Sequence, residues 1–155
     1  MTQLWLVPVD EQSYQQTLAQ PIDLTERDEK PDDFPERARV WGVRTDPDQG
    51  TWERNRQNLE RMETGDPLLI YRNSMSRYHA KGRVGPFWRT TYIRDEYWDG
   101  GPAINVFAVE NYEEIDVDPG EINEAIGYEE HFWPQGLWRV SDDRPTEQVV
   151  RRFDI

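Results

Sequence analysis

Apolar residues in this chain come in short clusters punctuated by proline, glycine and charge, and the spacing inside each cluster predicts an element. Leu4-Trp5-Leu6-Val7-Pro8-Val9 is an apolar run stopped by a proline, the pattern of a buried strand whose far end reaches a sheet edge. Tyr14 and Leu18 stand four apart and suit one or two helical turns. Between Gln20 and Arg39, three prolines (Pro21, Pro31, Pro35) and many charges predict a long solvated loop with Phe34 as its only large apolar anchor. Ala38 to Val43 reads as a second strand, and Asp46-Pro47-Asp48-Gln49-Gly50 is turn chemistry handing over to a helix from about Thr51 to Glu63. On that helix Trp52, Leu59 and Met62 share one side while Arg54, Asn58 and Arg61 share another, so one face packs and the other offers donors.

Gly65-Asp66 ends the helix, and Leu68 to Arg72 then pairs with Tyr78 to Val84 as a hairpin across Asn73-Ser74-Met75-Ser76-Arg77. Gly82 and Gly85-Pro86 weaken its second strand, as where a sheet bends or a ligand approaches the backbone. Phe87, Trp88, Tyr92, Tyr97 and Trp98 follow, and Asp99-Gly100-Gly101-Pro102 marks another turn. Ala103 to Glu110 alternates as a mid-sheet strand. Asp118-Pro119-Gly120-Glu121 has the N-cap, first-turn proline and glutamate of a capping box, opening a helix that buries Ile122 and Ile126 and ends at Gly127. After a loop from His131 to Gly136, Leu137 to Val140 is a last strand, and Pro145 starts a terminal helix carrying Val149, Val150 and Phe153. The order between Val40 and Val84 (a Trp-Gly turn, a polar helix, then a hydrophobic hairpin) is how a small α+β barrel builds one open, aromatic-lined end. That points to a binding pocket and away from a reaction centre.

Composition sharpens this picture. At 155 residues, with 35% apolar residues including 12% aromatics, the chain fits one domain with one moderate core. It has no cysteine, no basic-apolar leader pattern and no long apolar run, so a soluble, monomeric, cytoplasmic protein is expected. The formal charge of −13 would ordinarily argue against a polyanion partner. However, only Lys30 and Lys81 of the 18 basic residues are lysines, against 31 acids. An acidic, lysine-poor surface resembles that of a halophile's cytoplasmic protein, where molar salt cuts the screening length to about 3 Å. On that reading the charge is an adaptation and says little about the ligand.

Most catalytic chemistries lack their residues. His79 and His131 are the only histidines and form no metal-ligand pattern, there is no G-x-S-x-G elbow or thiol nucleophile, and no glycine-rich phosphate loop. Asp28-Glu29-Lys30 resembles a fragment of a nuclease cation site, but it lies in a proline-bounded polar loop with nothing to orient it. No enzyme activity, metal or cofactor is expected. The chain does carry seven tryptophans and seven tyrosines beside Arg and Asn. A nucleobase has two apolar π-faces and a polar edge, so a pocket for it needs aromatic walls, worth about 1 to 3 kcal/mol per stacked base, and a few edge hydrogen bonds. Such a pocket holds a base only after it has left the stack.

Leu4-Trp5-Leu6-Val7, Trp41-Gly42-Val43-Arg44, the run Asn58-Leu59-x-x-Met62-x-x-Gly65-Asp66-Pro67-Leu68-Leu69-Ile70-Tyr71, and Gly82-x-Val84 together resemble the EVE domain of the PUA-like superfamily, a relative of the YTH domain. The resemblance covers about residues 4 to 110. It implies a bent β-barrel of about five or six strands flanked by short helices, with an aromatic cage for a modified base such as 5-methylcytosine or N6-methyladenine. Trp41 matches the cage wall after the second strand, with Gly42 and Tyr71 beside it, and either Trp88 or Trp98 stands where the second wall falls. The family's Arg-Asn pair is broken here, since Arg44 is followed by Thr45-Asp46; Arg54, Asn55 or Asn58 would substitute from the helix. A rim of Arg44, Arg54, Arg72, Arg77 and Arg83 would meet phosphates, because the guanidinium fork binds them bidentately. The implied partner is nucleic acid with a modified base, DNA ahead of RNA, with a separate nuclease subunit as a further partner and no membrane. A reader of modified RNA or of a free small ligand, and a protein-interaction module with all aromatics in its core, are the competing readings.

The acidic composition generates one prediction. Carboxylates that repel one another in dilute buffer are screened by salt, so the thermal midpoint should rise between dilute buffer and about 2 M KCl. A midpoint that stays level or falls would remove the halophile reading and return the acidity as an argument against nucleic acid.

Overall fold

The computed structural model describes residues 2–44, 52–100 and 103–155. Among them are strands β1 (Trp5–Val9), β2 (Ile22–Asp23), β3 (Arg37–Arg44), β4 (Pro67–Arg72), β5 (Arg77–Arg89), β6 (Ala103–Val117) and β7 (Trp138–Arg139). The helices are α1 (Glu11–Thr17), α2 (Trp52–Arg61), α3 (Tyr92–Tyr97), α4 (Pro119–Ile126) and α5 (Thr146–Arg152). The strands pair in the order β2-β3-β6-β5-β4-β1-β7, a mixed sheet because β1 runs parallel to β4, and the pairing does not close β2 onto β7 among the described residues. This is an α+β fold built on one mixed sheet. The strand beyond the expected six is β2. The expected turns at Asp46 to Gly50 and at Gly101-Pro102 lie outside the described residues.

The chain divides into two compact units: Met1–Asp10, Gly65–Arg83 and Asn111–Ile155 form the first, Glu11–Thr64 and Val84–Glu110 the second. In the first unit, β1 pairs with β4 from Trp5↔Leu68 to Val9↔Arg72 and with β7 only at Trp5↔Arg139 and Leu6↔Trp138. Pro8 therefore sits beyond the β7 ladder, where its missing N–H costs no strand hydrogen bond. Leu4, Leu6, Leu69, Tyr71 and Tyr78 pack against Ile122 and Ile126 of α4 and Val149 of α5. Helix α4 forms as its sequence predicts: the Asp118 side chain accepts from Gly120 N at 2.8 Å, Pro119 opens the first turn, and Gly127 ends it at φ 92°. The cap falls on Gly120 N, with Glu121 N instead donating to the Asp118 carbonyl.

In the second unit, β3 and β6 pair antiparallel with Val40↔Ala108, Trp41↔Phe107, Gly42↔Val106 and Val43↔Asn105. Val106 to Val109 are all buried, so β6 is covered on both faces, as a central strand should be. The core gathers Ile22, Leu24, Phe34, Val40, Trp88, Ile93 and Ala108. The proline-rich stretch thus departs from the expected solvated loop. It pins Ile22 and Leu24 as well as Phe34 in the core, and β2 pairs Ile22 with Ala38. Helix α2 also departs from its reading: Asn55 and Asn58 are buried at 5% and 8% exposure while Leu59 is half-buried, so the packed side carries amides. The buried Thr17 hydroxyl shows the same use of local polar groups, donating to Val40 O at 2.6 Å.

Strand β5 continues unbroken through Gly82, Gly85 and Pro86, where a weakened or bent strand was expected. The glycine at 85 serves close approach, since a Cβ there would lie 2.8 Å from the Ala108 carbonyl oxygen and 2.8 Å from Glu110 Oε1. In β6, Asn111 takes a left-handed conformation at φ 53°, which Asn tolerates better than most residues. Because a carbonyl in a central strand cannot step aside, Gly85→Ala should cost about 1 to 3 kcal/mol, read as a lower urea midpoint with unchanged slope. A midpoint equal to the parent's would mean the two strands separate freely at this point.

Candidate functional site

The second unit holds a cavity of about 300 Å³, at the lower end of ligand-pocket volumes. Leu59 and Glu60 come to it from α2, Phe87, Trp88 and Arg89 from β5, and Asn105 and Val106 from β6. The alternation of a strand explains the mixed lining. Trp88 turns into the core, only 5% exposed, edge-on to Phe34 at 5.5 Å and stacked with Tyr92 at 6.3 Å, whereas Phe87 is half-buried and tilted on Phe107 at 6.0 Å. Thr90 N donates to Ile104 O at 2.9 Å, fixing the β5 backbone just beyond Arg89. Arg89 is exposed and has no carboxylate partner among the described residues. Glu60, the acid in the same wall, is held by Arg56 at 3.1 Å.

The β3–β6 register carries Trp41-Gly42-Val43 alongside this cavity, since Gly42 and Val43 are the partners of Val106 and Asn105 in its lining. Gly42 brings no side chain to that edge of the wall. Trp41 is half-buried and meets the half-buried Trp98 at 5.8 Å between ring centroids, 63° apart in plane. Trp98 follows α3, its N–H bonded to Arg94 O, and its indole Nε1 is buried without an acceptor among the described residues. Chemically the region offers aromatic faces, two aliphatic side chains, one amide, the Glu60 carboxylate held by Arg56, and the Arg89 guanidinium, which has no carboxylate partner among the described residues. Among the described residues no group of three or more His, Asp or Glu gathers as a metal site, and no helix is long and apolar enough to cross a membrane.

The structure places the sequence-predicted residues in two groups. Trp41, Gly42, Trp88, Trp98, Arg54, Asn55 and Asn58 belong to the second unit, with Arg44 ending β3. Tyr71, Arg72, Arg77 and Arg83 belong to the first. Tyr71 is 5% exposed, edge-on to Tyr78 at 5.2 Å and stacked with Trp133 at 6.4 Å. Arg72 Nη1 lies 3.3 Å from His79 Nε2. Arg77 is paired with Asp116 and, at 3.5 Å, with Asp118; the hydrogen bond to Asp116 raises its pKa further above the ordinary arginine value. Arg83 donates to the carbonyls of Gly65 at 3.0 Å and Ile155 at 2.5 Å. Arg54 is half-buried on α2. Sequence reasoning did not single out Arg89, Asn105 or Val106 as site residues, and took Leu59 as packing and Phe87 as one aromatic among many. The available signal was Asn105, the one polar position between Ala103 and Val109.

No protein-family model and no curated protein matches the sequence. Among solved structures, the chain is similar to the N-terminal domain of Thermococcus gammatolerans McrB bound to m5C DNA, with a TM-score of 0.71 over 98% of this chain and 96% of that chain. Sequence identity is 13%, so the likeness establishes a shared fold.

Trp88 and Trp41 differ in what their removal should cost. Trp88→Ala, in the core, should lose about 3 to 5 kcal/mol of stability. Trp41→Ala should lose clearly less in the same urea titration, because its ring already meets solvent; equal losses would make Trp41 ordinary core.

Proposed function

We propose that the chain is a non-catalytic reader of DNA carrying a modified base, with 5-methylcytosine the first candidate, acting as the specificity part of a modification-dependent system whose nuclease is a separate subunit. The observation that carries this reading is the cavity beside Trp41-Gly42, in a fold similar to that of a domain bound to m5C DNA. A base turned out of a duplex needs an aromatic face, an edge contact and, for its methyl group, an apolar surface. Trp41 with Trp98, or Trp88 at the cavity floor, supplies the face, Asn105 the edge contact, and Leu59 and Val106 the apolar surface. Gly42 lets the sugar approach the β3 backbone.

Binding of 5-methylcytosine, N6-methyladenine and unmodified duplexes, followed by fluorescence anisotropy across a KCl series, tests the reading. Tighter binding of one methylated duplex is expected, with 5-methylcytosine ahead; equal affinity for all three overturns it, and a preference for the same mark in RNA would move the reader to RNA. Trp41→Ala should weaken the methylated complex by about 1 to 3 kcal/mol, roughly 5- to 150-fold, and bring it towards the affinity of the plain duplex. If Trp41→Ala discriminates as the parent does, the cage does not include Trp41.

A further inference from the structure

We propose that Arg89 is the phosphate contact of this cavity, holding a backbone phosphate next to the nucleotide whose base enters; this rests on the reading of the chain as a DNA reader. A flipped base leaves its sugar and flanking phosphates at the mouth of the pocket, so a cation on the rim is where the backbone must pass. Arg89 is exposed, lies in the cavity wall directly after Trp88, and projects from a strand end fixed by the Thr90 N to Ile104 O bond of 2.9 Å. Although 31 acids face 18 basic residues in the sequence, no carboxylate among the described residues holds Arg89. Arg27, Arg56, Arg77, Arg94 and Arg139 each hold an acid, Arg83 holds two carbonyls, and Glu60, the acid nearest to hand in the same wall, is taken by Arg56. The Arg89 fork is therefore left open for bidentate binding of phosphate oxygens, a role that sequence alone spread over five other arginines.

The test compares the parent protein, Arg89→Ala and Arg89→Lys, each titrated with a 5-methylcytosine duplex and its unmodified counterpart across a KCl series. Arg89→Ala should weaken both duplexes by the same factor, roughly tenfold, and reduce the slope of log affinity against log salt by about 1. Arg89→Lys should restore the slope while recovering only part of the affinity, since a point charge replaces the fork. Circular dichroism should be unchanged in both variants, as the side chain is exposed. A parent that binds and an Arg89→Ala variant with the same affinities and slope overturns the Arg89 assignment alone. Loss confined to the methylated duplex overturns it too, by making Arg89 a base contact. A parent that binds both duplexes equally overturns the methyl-reader reading while leaving Arg89 to be judged by the slope, and a parent that binds neither overturns both.

Discussion

The register between β3 and β6 is the constraint on which the second unit depends. It sets Val40 against Ala108 in the core and, two and three residues on, Gly42 and Val43 against Val106 and Asn105 at the cavity. A slip of one residue would exchange the faces of every side chain on β3, bringing Trp41 into the core and Val40 out of it. The register is held by burial on both faces of β6 and by Thr17, whose hydroxyl reaches the carbonyl of Val40. The same packing allows a wide aromatic to stand half-exposed next to a glycine without fraying the strand.

Where structure follows from near neighbours, the sequence was readable. Helix α4 needed only Asp118, Pro119 and Gly127, and the β4–β5 hairpin only two apolar runs around a short turn. The misread elements depend on distant partners. Ile22 and Leu24 look like loop residues in a proline-rich stretch until β3 and β6 cover them, and Asn55 and Asn58 look like exposed donors until α2 packs against β3. Gly85 reads as a strand weakness, because only the Ala108 carbonyl across the sheet reveals it as a close approach. The Trp41-Gly42 pair, which the β3–β6 register carries alongside the cavity, is a local pattern in the sequence. The division of the arginines is not, since Arg77 meets Asp116 across 39 residues of chain.

The acidity acts in two opposing ways. Cross-strand pairs in the first unit join Arg77 to Asp116 and Lys81 to Glu113 at 3.4 Å. Their carboxylates are well exposed, so salt weakens each pair, and each is worth no more than about 1 kcal/mol. Lys81 is the less affected, being 8% exposed and donating to Asp154 O at 2.5 Å. Against these short attractive contacts stands the repulsion of a net charge of −13, which is longer in range and is the first to be screened.

That balance bears on how the proposed reading of DNA can work in a protein with this charge. Phosphate contacts lose strength steeply with salt, and a surface of net negative charge repels the duplex before any contact is made. On that proposal a protein of this composition cannot rely on many phosphate contacts, and the energy of recognition comes from stacking and edge hydrogen bonds inside the cavity, which salt screens little. On the proposal made for Arg89, one arginine at the mouth registers the backbone, while Arg27, Arg56, Arg77, Arg94 and Arg139 are each held by an acid. Discrimination between modified and plain bases would in that case persist at salt concentrations where absolute affinity has fallen, because the two depend on different groups: the aromatic and aliphatic walls for the first, Arg89 for the second.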